Sequence, residues 1–302
     1  MKIDPINQLN LYGLENNLKF LIALYREDKL PNKLLLTGQK GIGKCTLAYH
    51  LINFILSQKE EFQYNENNYE IYTQNKSYKL ILNGTNPNFQ LIDVSTNSQN
   101  IKIDQIRNLI SNINRSSFND KPRFVLIDNT EYLNKNSINA LLKNLEEPNH
   151  NVYFILINNQ KRLLKTLTSR CLNLNLSLSH LESLSVLNKL LDDDALNLIS
   201  EELLYYYFTP GNIFRLFDFA KRNKLDLKNI NLKNFLNLII ENDYFKNEFL
   251  LKNLFNDLIE FFLKTKSITT NFSYYNYFIH QFNNFKKFNL DEESLFIEFK
   301  DK

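Results

Sequence analysis

Residues 34–46, LLLTGQKGIGKCT, decide how the rest of this chain is to be read. Asn32–Leu36 is a short apolar run of the kind that forms a strand buried on both faces of a parallel sheet. Gly38-x-x-x-x-Gly43-Lys44 follows at once, and Leu47, Leu51, Phe54 and Ile55 then recur on one face of a helix. A glycine-rich turn between strand and helix is the context that a phosphate-binding loop requires. Glycines let backbone N–H groups turn inward, and the N-terminus of the following helix favours negative charge. Gly38, Gly41 and Gly43 are the candidate cradle, and Lys44 is placed to neutralise β- and γ-phosphate charge.

The next position departs from that motif. Such loops place a Ser or Thr hydroxyl on Mg²⁺, and here the residue is Cys45. A thiol is a poor ligand for a hard cation. Thr46 lies one step further round the helix and is not expected to substitute. Three outcomes stay open: ATP or ADP bound weakly, bound without metal, or not bound at all, with the loop kept only for its turn.

A second element is Phe124-Val125-Leu126-Ile127-Asp128-Asn129-Thr130-Glu131. A buried strand ending in Asp128 matches the strand whose aspartate holds Mg²⁺ through water. AAA+ ATPases usually follow it with a Glu that polarises the attacking water. Asn129 stands there, and an amide cannot accept that proton. Glu131, two positions on, is expected to project elsewhere.

Around these elements, strand and helix alternate. Residues 1–30 are expected to be helical, with Leu11, Leu14, Leu18, Leu21 and Leu24 at helical spacing, and 58–88 polar and irregular. Strands are expected at Phe89–Val94, Arg123–Asp128, Val152–Asn158 and Cys171–Leu176, with helices at Ile103–Ile113 and Asn134–Glu146 and a helical turn at Leu163–Leu167. This predicts a parallel sheet covered on both faces. Beyond Leu176 the periodicity is helical throughout: 180–191, 194–207, 211–222, 231–241, 246–264 and 272–286. The fold class is therefore α/β plus all-α, with boundaries at 1–176, 177–225 and 226–302.

Bulk properties agree with a reduced, water-exposed setting. The 302 residues carry a net charge of +3, too mild to demand a nucleic acid partner but compatible with a polyanion nearby. Cys45 and Cys171 are the two cysteines, too few for a disulfide framework or a four-cysteine zinc site. No apolar segment reaches the roughly 20 residues that span a bilayer, and no targeting pattern opens the chain, so a cytoplasmic location without membrane contact is expected.

Thr168-Ser169-Arg170-Cys171 means little alone. Together with LLLTGQKGIGKCTLAYHL, NGTNPNFQLIDV, IKIDQIRNLI, RFVLIDNTEYLNKNSINALLKNLEEP, YFILINNQKRLLKTLTSRC and TPGNIFRL, in that order over about residues 30–220, it resembles the bacterial clamp-loader subunits of the AAA+ class. Within DNA polymerase III the resemblance is to the delta-prime type, with gamma/tau more distant. It implies a P-loop sheet domain at 1–176, a small helical lid at 177–225 and a helical collar at 226–302.

The same resemblance implies roles. Arg170 would be an arginine finger acting in trans on a neighbouring subunit's ATP, flanked structurally by Ser169 and Cys171. Asn158 or Asn159 would be the γ-phosphate sensor, with Asn158 preferred. Gly211 falls where active subunits carry a nucleotide-contacting Arg, and Arg215 lies a turn later. No zinc is expected, because residues 58–88 hold no Cys. Substitutions at Cys45, Asn129 and Gly211 imply a subunit that does not hydrolyse ATP itself. Implied partners are the gamma/tau and delta subunits, the sliding clamp, and primer–template DNA through its phosphate backbone. The alternatives are an active gamma/tau-type ATPase, a protein-remodelling AAA+ machine (for which no aromatic pore motif is seen), and a C-terminal half that is an unrelated binding module.

Overall fold

The computed structural model describes residues 3–94, 100–114, 119–146, 151–159, 165–204, 209–244, 249–267, 276–281, 284 and 293–301. Two compact units emerge: Met1–Val186 with Thr209–Gly211, and Leu187–Phe208 with Asn212–Lys302.

The first unit is built on one parallel sheet. Strands β1 (Lys33–Thr37), β2 (Phe89–Ile92), β3 (Arg123–Ile127), β4 (Val152–Asn158) and β5 (Leu172–Asn175) lie in the order β2-β3-β4-β1-β5. Registers such as Leu35 opposite Leu156, and Leu126 opposite Ile155, keep apolar residues level across the centre. Side chains alternate faces along a strand. Leu34, Leu36, Phe124, Leu126, Ile155 and Ile157 therefore join one core, which α1 (Glu15–Arg26), α2 (Lys44–Ser57) and α3 (Lys76–Leu82) complete. Leu35, Val125, Ile127, Phe154 and Leu156 join the other, beneath α4 (Ile103–Ile113) and α5 (Lys135–Glu146). Both faces are covered, which is why the strands read as unbroken apolar runs.

Two expectations on this unit need correction. The N-terminal 30 residues are not one helix: α1 begins at Glu15. Before it, the Leu11 N–H donates to the Tyr69 carbonyl at 3.0 Å and the Ile71 N–H to the Leu9 carbonyl at 2.8 Å. A pairing partner some 60 positions away along the chain thus outbids local helix formation, while Leu11 and Leu14 still reach the core. Residues 58–88 are not irregular throughout, because α3 lies inside them. The Asn75 side chain accepts from the Tyr78 N–H at 2.7 Å, an N-cap, and itself accepts from Asn53 at 3.1 Å. Ser77 in the first turn donates to Glu60, which also pairs with Lys121. A seven-residue helix with so polar an anchor leaves almost no apolar period to read.

The second unit is helical. It contains α8 (Ala195–Leu198), α9 (Glu201–Leu204), α11 (Leu232–Glu241), α12 (Phe249–Ser267) and α13 (Glu293–Asp301), together with most of α10 (Pro210–Arg222) and the end of α7 (His180–Leu191). Its core is aromatic, with Phe255 against Phe296 and Phe299 against both Phe262 and Phe278, all edge-to-face. The helix expected over 194–207 breaks at Ile199, which is extended, and the Ser200 N–H donates to the Leu227 carbonyl instead. Residues 205–207 lie outside the described residues, as does most of 272–286, of which 276–281 are helical.

Candidate functional site

In an open parallel sheet the loops at the carboxyl ends of neighbouring strands meet. Here β1, β3 and β4 are adjacent, so the turns following Thr37, Ile127 and Asn158 converge. β2, beside β3, adds a fourth.

The turn after β1 carries the glycines. Gly38, Gly41 and Gly43 have φ of +152°, +91° and +97°. At Gly38 the requirement is absolute: a Cβ there would lie 2.3 Å from the Leu176 carbonyl oxygen. Lys44 is almost wholly buried, and its ammonium donates back to the Gly38 and Gln39 carbonyls at 2.9 and 2.6 Å. Burial lowers its pKa to about 8, against the raising effect of the Asp128 and Glu131 charges. The loop is clasped from outside by Thr209, whose hydroxyl donates to the Lys40 carbonyl at 2.8 Å, and by the Gly211 N–H, which donates to the Gly41 carbonyl at 2.9 Å. A Cβ on Gly211 would come within 2.8 Å of that same carbonyl oxygen. Gly211 thus serves as a backbone tie to the loop, and Arg215 lies further along α10.

Cys45, at the start of α2, lies close enough to Asp128 at the end of β3 for the two groups to shift each other's titration. Burial, then the Asp128 charge, push the thiol well up. Asp128 is itself raised to about 6, by burial first and by the neighbouring Asp93 second. Its carboxylate accepts from the Asn129 N–H at 2.7 Å. Thr46 is the next residue on α2, partly buried.

Asp93, just beyond β2, was not singled out in the sequence. Its Oδ1 accepts from the Asn129 side chain at 2.8 Å. The signal was present: FQLID repeats the apolar-run-then-Asp form of FVLID. Glu131 also requires correction, because it faces this cluster. Asn129 adopts a left-handed conformation, φ +55° and ψ +48°, and turns the chain into a 3-10 turn that brings Glu131 back. The Asn159 amide then donates to Glu131 Oε1 at 2.8 Å and to Asn129 Oδ1 at 3.0 Å. Asn158, the preferred sensor, is buried at the end of β4 opposite Thr37, while Asn159 is the residue bonded to the side chains that follow Asp128.

Arg170 lies apart from this cluster, between α6 (Lys165–Thr168) and β5. Its Nε and Nη2 donate to Glu146 Oε1 at 3.0 and 2.6 Å, and its Nη1 to the Thr166 carbonyl at 2.7 Å. Ser169 turns its hydroxyl to the Thr166 carbonyl, and Cys171 packs against the core beneath α5, its thiol raised to about 11 by burial. Neither is placed for chemistry.

These groups do not fit a magnesium-bound nucleotide. The group at position 45 is a soft thiol where a hard cation needs an oxygen, and it stands beside the Asp128 carboxylate. Among the described residues, no group of three or more His, Cys, Asp or Glu side chains could hold a metal ion, and no helix is long and apolar enough to cross a membrane.

Sheet order, glycine-rich turn and the aspartate-ended strand beside it define an AAA+ P-loop fold. The sequence matches the family described as "DNA polymerase III, delta subunit" over residues 13–180, and the chain belongs to that family. It is 33% identical over 138 residues to the DNA polymerase III subunit delta' of Pseudomonas aeruginosa, covering 45% of this chain and 40% of that one. To the delta' subunit of Buchnera aphidicola subsp. Baizongia pistaciae it is 31% identical over 175 residues, 56% and 51% of the two chains. A DNA polymerase III gamma subunit of Buchnera aphidicola subsp. Schizaphis graminum is 28% identical over 248 residues, 77% and 63%. The alignments to the two delta' subunits thus span about half of those proteins or less. Among solved structures, a DNA polymerase III gamma-subunit-related protein of Thermotoga maritima superposes with a TM-score of 0.47 at 16% identity, over 93% of this chain and 82% of that one.

Proposed function

We propose that this chain is a delta-prime-type subunit of a DNA polymerase III clamp loader, silent at its own nucleotide site and active in trans through Arg170. The observation that carries the reading is the contrast between the two places. At the P-loop, a thiol at Cys45 stands beside Asp128 in place of a metal-binding hydroxyl, Asn129 replaces the water-polarising carboxylate, and Gly211 ties the loop down. At Arg170, a guanidinium about one-third exposed is held just before an edge strand. In this reading 1–176 is the P-loop domain, 177–225 the lid and 226–302 the collar that joins gamma/tau and delta in a cytoplasmic heteropentamer. ATP binding by gamma-type neighbours orders the assembly around the sliding clamp and primer–template DNA, which is gripped by its phosphates. Arg170 stabilises charge on the phosphoryl group transferred in the neighbour's site.

The test is steady-state ATPase activity of the complex assembled with gamma-type subunit, delta, clamp and primed DNA. Arg170→Ala in this chain is expected to lower the rate by about 10²-fold or more at the site it serves, and the isolated chain is expected to show no turnover. A second reading, an active gamma/tau-type ATPase, draws on Glu131 facing the P-loop cluster and on the likeness to a gamma subunit over 77% of this chain. Turnover by the isolated chain, unaffected by Arg170→Ala in the complex, would establish that reading instead.

A further inference from the structure

We propose that Glu146 is the positioning residue of Arg170, a role that rests on the trans-finger reading above. Arg170 lies in the turn between α6 and β5, and a long side chain there has many directions open to it. Glu146 ends α5, 24 positions earlier in the chain. Both of its bonds to Arg170 use one oxygen, Oε1, which takes the Nε and Nη2 hydrogens from one side of the guanidinium. The Thr166 carbonyl takes an Nη1 hydrogen. An arginine has five N–H donors, and these contacts among the described residues use three of them, leaving one on each Nη. Guanidinium N–H donors of this kind are what the oxygens of a phosphoryl group accept.

The remaining question is why the carboxylate is there. The pair is exposed, 32% for the arginine side chain and 52% for the glutamate, so it does little for the fold. What it does is fix the plane and direction of the guanidinium before a partner arrives. A group preset in this way reaches its target without losing rotamer freedom at that moment. Glu146 touches no substrate in this scheme and acts only through Arg170.

The experiment compares wild type, Glu146→Ala, Glu146→Gln, Arg170→Ala and the Glu146→Ala/Arg170→Ala double variant, each in the full complex with clamp and primed DNA, over a range of ATP concentrations. Glu146→Ala is expected to lower kcat about tenfold with KM for ATP within about twofold of wild type. Glu146→Gln keeps an oxygen at the same reach and is expected to recover most of that loss. The double variant is expected to be no slower than Arg170→Ala alone. If Arg170→Ala is impaired but Glu146→Ala behaves as wild type, or if only KM rises, the positioning role is overturned while the finger reading stands. A rate for Glu146→Ala above wild type would mean that the pair restrains the arginine, which also overturns it. If Arg170→Ala itself changes nothing, the finger reading falls and this inference with it.

Discussion

Single residues in this protein carry requirements that come from their neighbours rather than from ligand. Gly38 belongs to a phosphate-loop motif, yet its need for glycine is met without phosphate: the chain passes so close to the Leu176 carbonyl that no Cβ fits. Gly38→Ala is therefore expected to destabilise the nucleotide-free protein by about 3 kcal/mol or more, read as a lowered urea midpoint. A loss seen only with nucleotide present would contradict this. His50 is another case. It is fully buried, donating from Nε2 to the Gln8 carbonyl and accepting at Nδ1 from the Tyr64 hydroxyl. Burial lowers its pKa from 6.5 to about 4, so the folded chain binds fewer protons than the unfolded chain between those values. Its contribution is whole above pH 6.5 and is lost as pH falls toward 4. Replacement by Gln is expected to flatten the acid side of the stability profile by about 1–3 kcal/mol, and the wild-type imidazole should stay neutral by NMR at pH 5.5.

At the level of elements, most boundaries follow from period and punctuation, and the failures have local causes. α4 and α5 appear within a residue of their expected limits because their apolar faces are regular. α3 was illegible because its anchor is a polar network rather than a stripe. That network makes a testable claim. Asn75→Ala removes the cap on Tyr78, the acceptor for Asn53, and a donor to the Phe62 carbonyl. A cost of about 2 kcal/mol in chemical denaturation is expected, more than a solvent-exposed cap would show. In the sheet, Leu156→Ala on β4 deletes a fully buried side chain level with Leu35 and is expected to cost about 2–5 kcal/mol.

On the scale of the whole molecule, two units each possess a core, one mainly of aliphatic residues on either side of a sheet and one of phenylalanines packed edge to face. The chain has no tryptophan, so a single introduced one reports cleanly. Tyr153→Trp, beside Phe124, would follow the first unit, and Tyr277→Trp, beside Phe278, the second. In the Gly38→Ala background the first reporter's transition is expected to move to lower denaturant, and by more than the second's.

The amino-acid sequence by itself determined the P-loop architecture, the parallel sheet with both faces covered, and the loss of a metal-binding hydroxyl at Cys45. Each is a local property: strand, turn and helix are contiguous, and residue chemistry needs no neighbour to be read. What only the tertiary structure decided is which distant groups meet. Asp93 and Asn129 lie 36 positions apart, Asn159 and Glu131 28, and Arg170 and Glu146 24. Their encounter depends on the strand order β2-β3-β4-β1-β5 and on the left-handed turn at Asn129, neither of which leaves a periodic mark in the chain. Side-chain pairs across a sheet's carboxyl edge are set by packing of whole elements, so the residues could be nominated from sequence but their partners could not.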